Sequence, residues 1–267
     1  MAKRTLSAIL GFPLVAALLV LGNKYVIDFA MTLIALISLH EFYHAFSKKA
    51  KPVKWIGYIC CGLISIIHFV PSEYIFNSAI LFVPTIMFVL LAWLVISNMK
   101  ITFQDVNISL FGIIYIVGFS IFIPIINGLE NGKILIWYLL FAAWATDLLA
   151  FLIGRLIGKH KFSKISPNKS IEGCIGGIIG AIIFMIGYTF FLNQFMGFNI
   201  SYIYIFGISV LLSIISQIGD FAASAIKRYT QIKDYGNIIP GHGGMLDRID
   251  SLIFIAPFAY ILLSNLI

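Results

Sequence analysis

Residues 134–154 read ILIWYLLFAAWATDLLAFLIG, and this stretch decides the class of fold. Apart from Asp147 it carries no charge, and it is as long as the ~20 apolar residues that an α-helix needs to cross a hydrocarbon core. A membrane β-strand would instead alternate polar and apolar residues over about ten positions, a pattern this run lacks. Eight further apolar runs lie on either side of it, over residues 5–22, 26–43, 55–71, 78–98, 107–127, 174–193, 199–219 and 252–267. The sequence therefore predicts an all-α polytopic integral membrane protein with about nine transmembrane helices.

Composition supports the same class. Of 267 residues, 61% are hydrophobic and 11% charged, against about 25% charged in an average soluble domain. That balance excludes an ordinary soluble protein, a disordered chain, a collagen-like chain and a nucleic-acid-binding domain. Cys60 and Cys61 adjoin each other and Cys174 lies far away, so neither a disulfide framework nor a zinc spacing is present.

Charge then orients the spans. With the N-terminus in the cytoplasm and the C-terminus outside, alternation places every lysine and arginine inside except Lys24 and Lys133, as the positive-inside rule requires. The net charge of +7 is mainly this topology signal. Lys3 and Arg4 precede the first run as in a secretory signal, but no small-residue cleavage site follows, so that run is expected to be retained as a helix. The compact length and the absence of extra targeting segments point to a bacterial inner (plasma) membrane protein whose active site faces the cytoplasm.

Two organisational regions are expected: residues 1–133 with spans one to five, and a catalytic region 134–267 with long cytoplasmic loops at 155–173 and 220–251. Long loops in a compact protein usually carry function. The second holds Asp220, Asp247 and Asp250, acids that are costly at a membrane edge unless paired or bound to a metal. Hard oxygen donors of this kind suit Mg²⁺. Lys227, Arg228, Lys233 and Arg248 supply the complementary phosphate grip, and glycines at 236, 241, 243 and 244 let backbone amides approach an anion closely.

The run Ser224-Ala-Ile-Lys227-Arg228, continuing through Lys233-Asp234-Tyr-Gly236 and Ile239-Pro240-Gly-His242-Gly243-Gly244-Met245-Leu-Asp247-Arg248-Ile249-Asp250, resembles the signature of the phosphatidate cytidylyltransferase (CDP-diacylglycerol synthase) family. An upstream block is similar too: Trp144-Ala-Thr-Asp147, Gly154-Arg155, Gly158-Lys159-His160-Lys161, and Ser166-Pro167-Asn168-Lys169-Ser170-Ile171-Glu172-Gly173. Where relatives usually have Ser-Pro-Lys-Lys-Thr-Trp-Glu-Gly, this chain differs at Asn168, Ser170 and Ile171. In motif detail the resemblance covers residues 137–251.

The resemblance implies a reaction of CTP with phosphatidate that gives CDP-diacylglycerol and pyrophosphate in phospholipid biosynthesis. It implies Mg²⁺ with a neighbouring K⁺, ligated by acids that match Asp220 and Asp247; Asp250, from the acid cluster itself, is a further candidate ligand. Asp220, Asp247, Lys227, Arg228 and His242 are the expected catalytic residues. Ser166, Lys169, Glu172, Ser224, Lys233, Asp234, Gly243, Gly244, Arg248 and Asp147 are expected to bind substrate. The partners implied are CTP, phosphatidate, membrane lipid and a second copy of the chain, with no nucleic acid.

Other readings compete. A related CTP-dependent kinase of a polyprenol or similar lipid alcohol would attack the γ-phosphorus and release CDP. His40-Glu41-Phe-Tyr-His44 matches the His-Glu-x-x-His pattern of zinc proteases, with both histidines on one helical face. Its position beside Lys48 and Lys49 favours an interfacial or structural role. A transporter would show repeats with interrupted helices. Among the remaining groups, His68 is expected to be packed or interfacial. Asp147, if not functional, would pair with Arg155, and Asp105 is expected in a separate loop outside the signature. Gly173, Gly176, Gly177 and Gly180 are expected to serve close helix packing.

Overall fold

The computed structural model describes residues 17–69, 72–98, 100–161, 163, 165–238, 243–264 and 266, with backbone alone for 72–79. His242, Gly241 and most of the first expected span lie outside the described residues. The fold is all helical; the extended pairing among the described residues is an isolated bridge between Lys161 and Ser170.

Among the described residues, five helical spans are long and apolar enough to cross a membrane: Lys24–Ala45, Phe103–Gly128, Gly132–Ile157, Ile171–Phe195 and Tyr202–Tyr229. Two of the other expected spans are shorter apolar helices, Lys54–Phe69 and Ile80–Ile96. The last forms within Leu246–Leu263, whose first turns carry Asp247, Arg248 and Asp250.

The chain divides into two compact units, Met1–Gly128 with Tyr229–Arg248, and Leu129–Arg228 with Ile249–Ile267. In the first unit, helix α1 (Lys24–Ala45) begins at Asn23, whose side chain accepts from the Val26 amide. Helix α2 (Lys54–Gly62) tightens into a 3₁₀ segment, Leu63–Phe69, and α3 (Ser72–Ile96) follows with Pro84 inside it. Helix α4 (Phe103–Gly112) loosens into a π-helical turn, Ile113–Gly118, and leads to α5 (Phe122–Gly128).

Asp105 is a correction to the sequence reading. Its carboxylate closes a capping box with Thr102 and also accepts the Lys51 amide at 2.5 Å, so it is a buried structural residue. Four residues on, Ser109 continues the same seam: Oγ accepts from Val53 N at 2.7 Å and the backbone carbonyl accepts from Tyr43 Oη at 3.0 Å. Where lipid removes the usual hydrophobic drive between helices, such polar seams and tight packing hold a bundle together.

The second unit holds α6 (Gly132–Ile157), α7 (Ile171–Phe195), α8 (Tyr202–Tyr229) and most of α9 (Leu246–Leu263). Gly173, Gly176, Gly177 and Gly180 let α7 press onto α6: an added Cβ at Gly180 would lie 2.8 Å from the Ala145 carbonyl, and one at Gly173 equally close to that of Ala150. Tyr138 and Thr189, Thr146 and Ser213, and Gln217 and the Cys174 carbonyl link the helices by hydrogen bonds of 2.8–3.1 Å.

Both expected loops are shorter than the sequence reading. Helix α8 runs on through Tyr229, so Asp220, Ser224, Lys227 and Arg228 are helical and the connection covers 230–245. The alanine-rich segment 220–229 favours helix, and Lys227 and Arg228 in its last turn complement the negative end of the helix dipole. Likewise 155–173 contracts to 158–170, between Gly158 and the Ser170 cap, whose hydroxyl accepts from Gly173 N.

Candidate active site

Within the second unit, acids from three helices meet electrostatically. Asp220, on α8, pairs with the Lys169 ammonium, which also lies 4.1 Å above the centre of the Phe221 ring. Asp147, on α6, accepts from Ser251 Oγ at 3.1 Å. Asp250 stands before the apolar run 252–267 and is 7% exposed. Burial, followed by the negative charge of Asp220, pushes its carboxyl up to about 8; Asp147 adds to the shift, while Lys227 and the Ser251 amide oppose it. Arg228 Nε donates to the Ile165 carbonyl at 3.2 Å, which ties the end of α8 to the 158–170 loop.

Within the first unit the signature loop is organised by carboxylates that accept backbone amides. Asp247 Oδ2 accepts from Tyr235 N at 2.7 Å and Gly244 N at 3.1 Å. Glu41 reaches the loop from α1, across more than two hundred positions of sequence: Oε1 accepts from Met245 N at 3.0 Å and Oε2 from Leu246 N at 2.9 Å. These amides belong to the start of α9, where a helix leaves donors without internal partners. Gly236 and Gly244 lie directly against the Glu41 carboxylate, where a Cβ would collide with it, and Gly243 has φ +86°, a left-handed conformation suited to glycine. Lys233, Asp234 and Arg248 are exposed on this framework.

Other expected site residues serve partly local ends. Glu172 accepts from the His160 amide and meets His160 Nδ1 at 2.5 Å. The Ser166 carbonyl accepts from Lys169 N at 3.1 Å, which turns the chain toward Lys169. Ser224 is half-buried, one turn beyond Asp220 on α8.

Sequence reasoning missed Glu41 as a clamp on the signature loop, because its His-Glu-x-x-His setting directs attention to metal binding. The available signal was an acid at the end of an apolar run, 4% exposed here, with neighbouring His40 engaged by Tyr58 Oη at 2.8 Å. Ser251, the donor to Asp147, was missed for want of any pattern.

The residues fit a hard divalent cation by the chemistry of their donors. Asp220 and Asp250 in the second unit and Asp247 in the first offer carboxylate oxygens, and Asp250 is a buried acid whose charge Asp220 and Asp147 oppose. Among the described residues, no three His, Cys, Asp and Glu side chains form a metal-holding group. Mg²⁺ does not need one, because it commonly takes one or two carboxylates and completes its shell with water and substrate phosphate.

Comparison with known proteins adds a second line. A family model described as the cytidylyltransferase family matches residues 2–266. A phosphatidate cytidylyltransferase of Staphylococcus haemolyticus is 35% identical over 268 residues, covering 100% of both chains. One of Bacillus subtilis is 36% identical, covering 99% of this chain and 98% of its own, and one of Staphylococcus saprophyticus is 33% identical, covering 100% of each.

Proposed function

The chain belongs to the cytidylyltransferase family, and from that premise we propose that it is a phosphatidate cytidylyltransferase, joining CTP to phosphatidate to give CDP-diacylglycerol and pyrophosphate. The observation that carries the reading is the match of the whole chain to relatives of that name, together with a signature loop whose carboxylates organise its backbone.

An oxygen of the lipid phosphate forms the new bond to the α-phosphorus of CTP, and the bond from that phosphorus to the pyrophosphate oxygen breaks. Phosphatidate already brings an anionic nucleophile, so positioning and charge neutralisation dominate over base catalysis. Asp220, Asp247 and Asp250 are the residues that would hold Mg²⁺, with K⁺ as a second cation; bound there, Mg²⁺ supplies charge neutralisation at the phosphates. Lys169, Lys227, Arg228, Lys233 and Arg248 bind the phosphates of the two substrates, and Ser166, Glu172, Ser224 and Asp147 complete the substrate contacts. Gly243 and Gly244 bring backbone close to phosphate, while Asp234 and His242 belong to the same loop.

Purified protein given phosphatidate, Mg²⁺ and CTP labelled at the α-phosphorus should transfer label to lipid and release pyrophosphate. Release of CDP with γ-phosphoryl transfer would identify a lipid kinase instead. The reading also places CTP-binding segments in the cytoplasm of a bacterial cell whose inner membrane holds a homodimer. Reporters fused after Lys51, Lys164 and Lys233 should read cytoplasmic and one after Gln194 external; the 158–170 loop outside would overturn the assignment.

A further inference from the structure

A cavity of about 420 Å³ lies in the first unit, at the lysine-rich ends of α2 and α3, lined by Lys51, Lys54, Trp55, Tyr58, Trp93 and Ile101. Trp55 and Trp93 meet there edge to face, with ring centroids 5.3 Å apart. The adjoining acid, Asp105, is buried and accepts the Lys51 and Thr102 amides. Among the described residues, neither Lys51 nor Lys54 forms an ion pair, although the Lys51 charge also acts on the Asp105 carboxylate. The cavity is thus mostly apolar and is lined by two exposed lysines and two partly exposed indoles.

Exposed apolar residues continue from this aromatic pair along both helices. On α2 and its 3₁₀ extension, Trp55, Ile59, Leu63 and Ile66 are exposed, at steps of one helical turn; on α3, Val89, Trp93 and Ile96 repeat the pattern. Tryptophan and tyrosine favour the headgroup level of a bilayer, and lysines there attract anionic lipid. A soluble anion would use the ammonium groups alone. A lipid with its phosphate between them would also cover these apolar residues.

We propose that this cavity binds the headgroup phosphate of an anionic glycerophospholipid, whose acyl chains lie along these apolar residues. The site is separate from the residues assigned to nucleotidyl transfer and does not rest on that assignment. Lys51 and Lys54 select anionic over zwitterionic lipid; Trp55 and Trp93 set the depth of the headgroup.

The chain has four tryptophans, so full-length protein carrying Trp137→Phe and Trp144→Phe reports on Trp55 and Trp93 alone. Reconstituted in vesicles with lipid brominated on its acyl chains, its fluorescence should reach half-quenching at a roughly thirtyfold lower mole fraction of phosphatidylglycerol than of phosphatidylcholine, the scale of two surface lysines. Lys51→Ala with Lys54→Ala should make the two curves coincide. As a measurement independent of the tryptophan changes, native mass spectrometry of wild-type chains should show phosphatidylglycerol retained, and the double lysine variant should lose it. Equal quenching by both lipids, no quenching by either because protein covers the indoles, or a preference that survives loss of both lysines would overturn the proposal.

Discussion

Glu41 and Asp250 are both almost fully buried carboxylates, and the two units treat them in opposite ways. Glu41 accepts two backbone amides at the start of α9 and sits against two glycines. Asp250 faces like charge from Asp220 and Asp147, with Lys227 as the opposing cation. A buried carboxylate surrounded by amides holds a backbone in place, whereas one placed among other acids favours a proton or an added cation. The family signature includes acids of both kinds, and they are not interchangeable. Asp247 accepts two amides and is also an expected cation ligand, so it joins the structural pattern to the chemical one.

The largest expected effect tests that joining. Asp220→Asn and Asp247→Asn should each lower turnover by roughly 10²- to 10³-fold, about 3–4 kcal/mol of transition-state stabilisation. If the two carboxylates serve one chemical step, the double variant should be scarcely slower than either single one. Glu130→Gln, an exposed acid outside both patterns, is the control. Activity near wild type in either variant at equal expression would place the chemistry elsewhere.

Next is the clamp. Glu41→Ala leaves the Met245 and Leu246 amides without their acceptor, at a cost of about 1–3 kcal/mol for each buried donor. Thermal stability and activity should fall together, and Glu41→Gln, which keeps one acceptor oxygen, should fall less. Gly244→Ala collides with the Glu41 side chain, so it should be better tolerated in a Glu41→Ala background than alone, a coupling of at least ~0.5 kcal/mol in a double-mutant cycle. Additive effects would show that the contact is not felt.

The contrast is sharpened by pH. Asp250 has its carboxyl raised from the ordinary 3.8 to about 8, so between these values the unfolded chain is ionised at this group while the folded chain keeps the proton. Stability at this group is therefore greatest in acid, declines as pH rises toward 8 and then levels. With divalent cations chelated, the melting temperature of wild-type protein should fall more between pH 5 and pH 8 than that of Asp250→Asn. Parallel melting curves would mean that Asp250 is not opposed by its neighbours.

The smallest effect concerns the Lys169–Asp220 pair, which is partly exposed. Lys169→Met should change stability by less than about 1 kcal/mol, while raising the CTP concentration needed for half-maximal turnover. A large loss of stability with unchanged kinetics would make Lys169 a structural residue.

The sequence determined the class of fold, because a run such as 134–154 has no stable place in water and can satisfy its backbone in lipid only as a helix. It also determined the family, because the Ser224 to Asp250 run keeps its residue types at fixed spacing. The packing role of Gly173, Gly176, Gly177 and Gly180 could be read there too, since spacing along one helix places them on one face. Helix ends were less legible: α8 extends through Tyr229 because the alanine-rich segment after Asp220 keeps helical preference beyond the apolar run. Asp105 looked like a loop acid until the structure placed the Thr102 and Lys51 amides against it. Only the tertiary structure decided that Glu41 holds the loop that begins α9, and that Asp220 and Asp147 both act on Asp250. Such contacts join residues far apart in the chain, and hydrophobic periodicity and local motifs carry no information about which distant backbone amide or carboxylate a buried acid will meet.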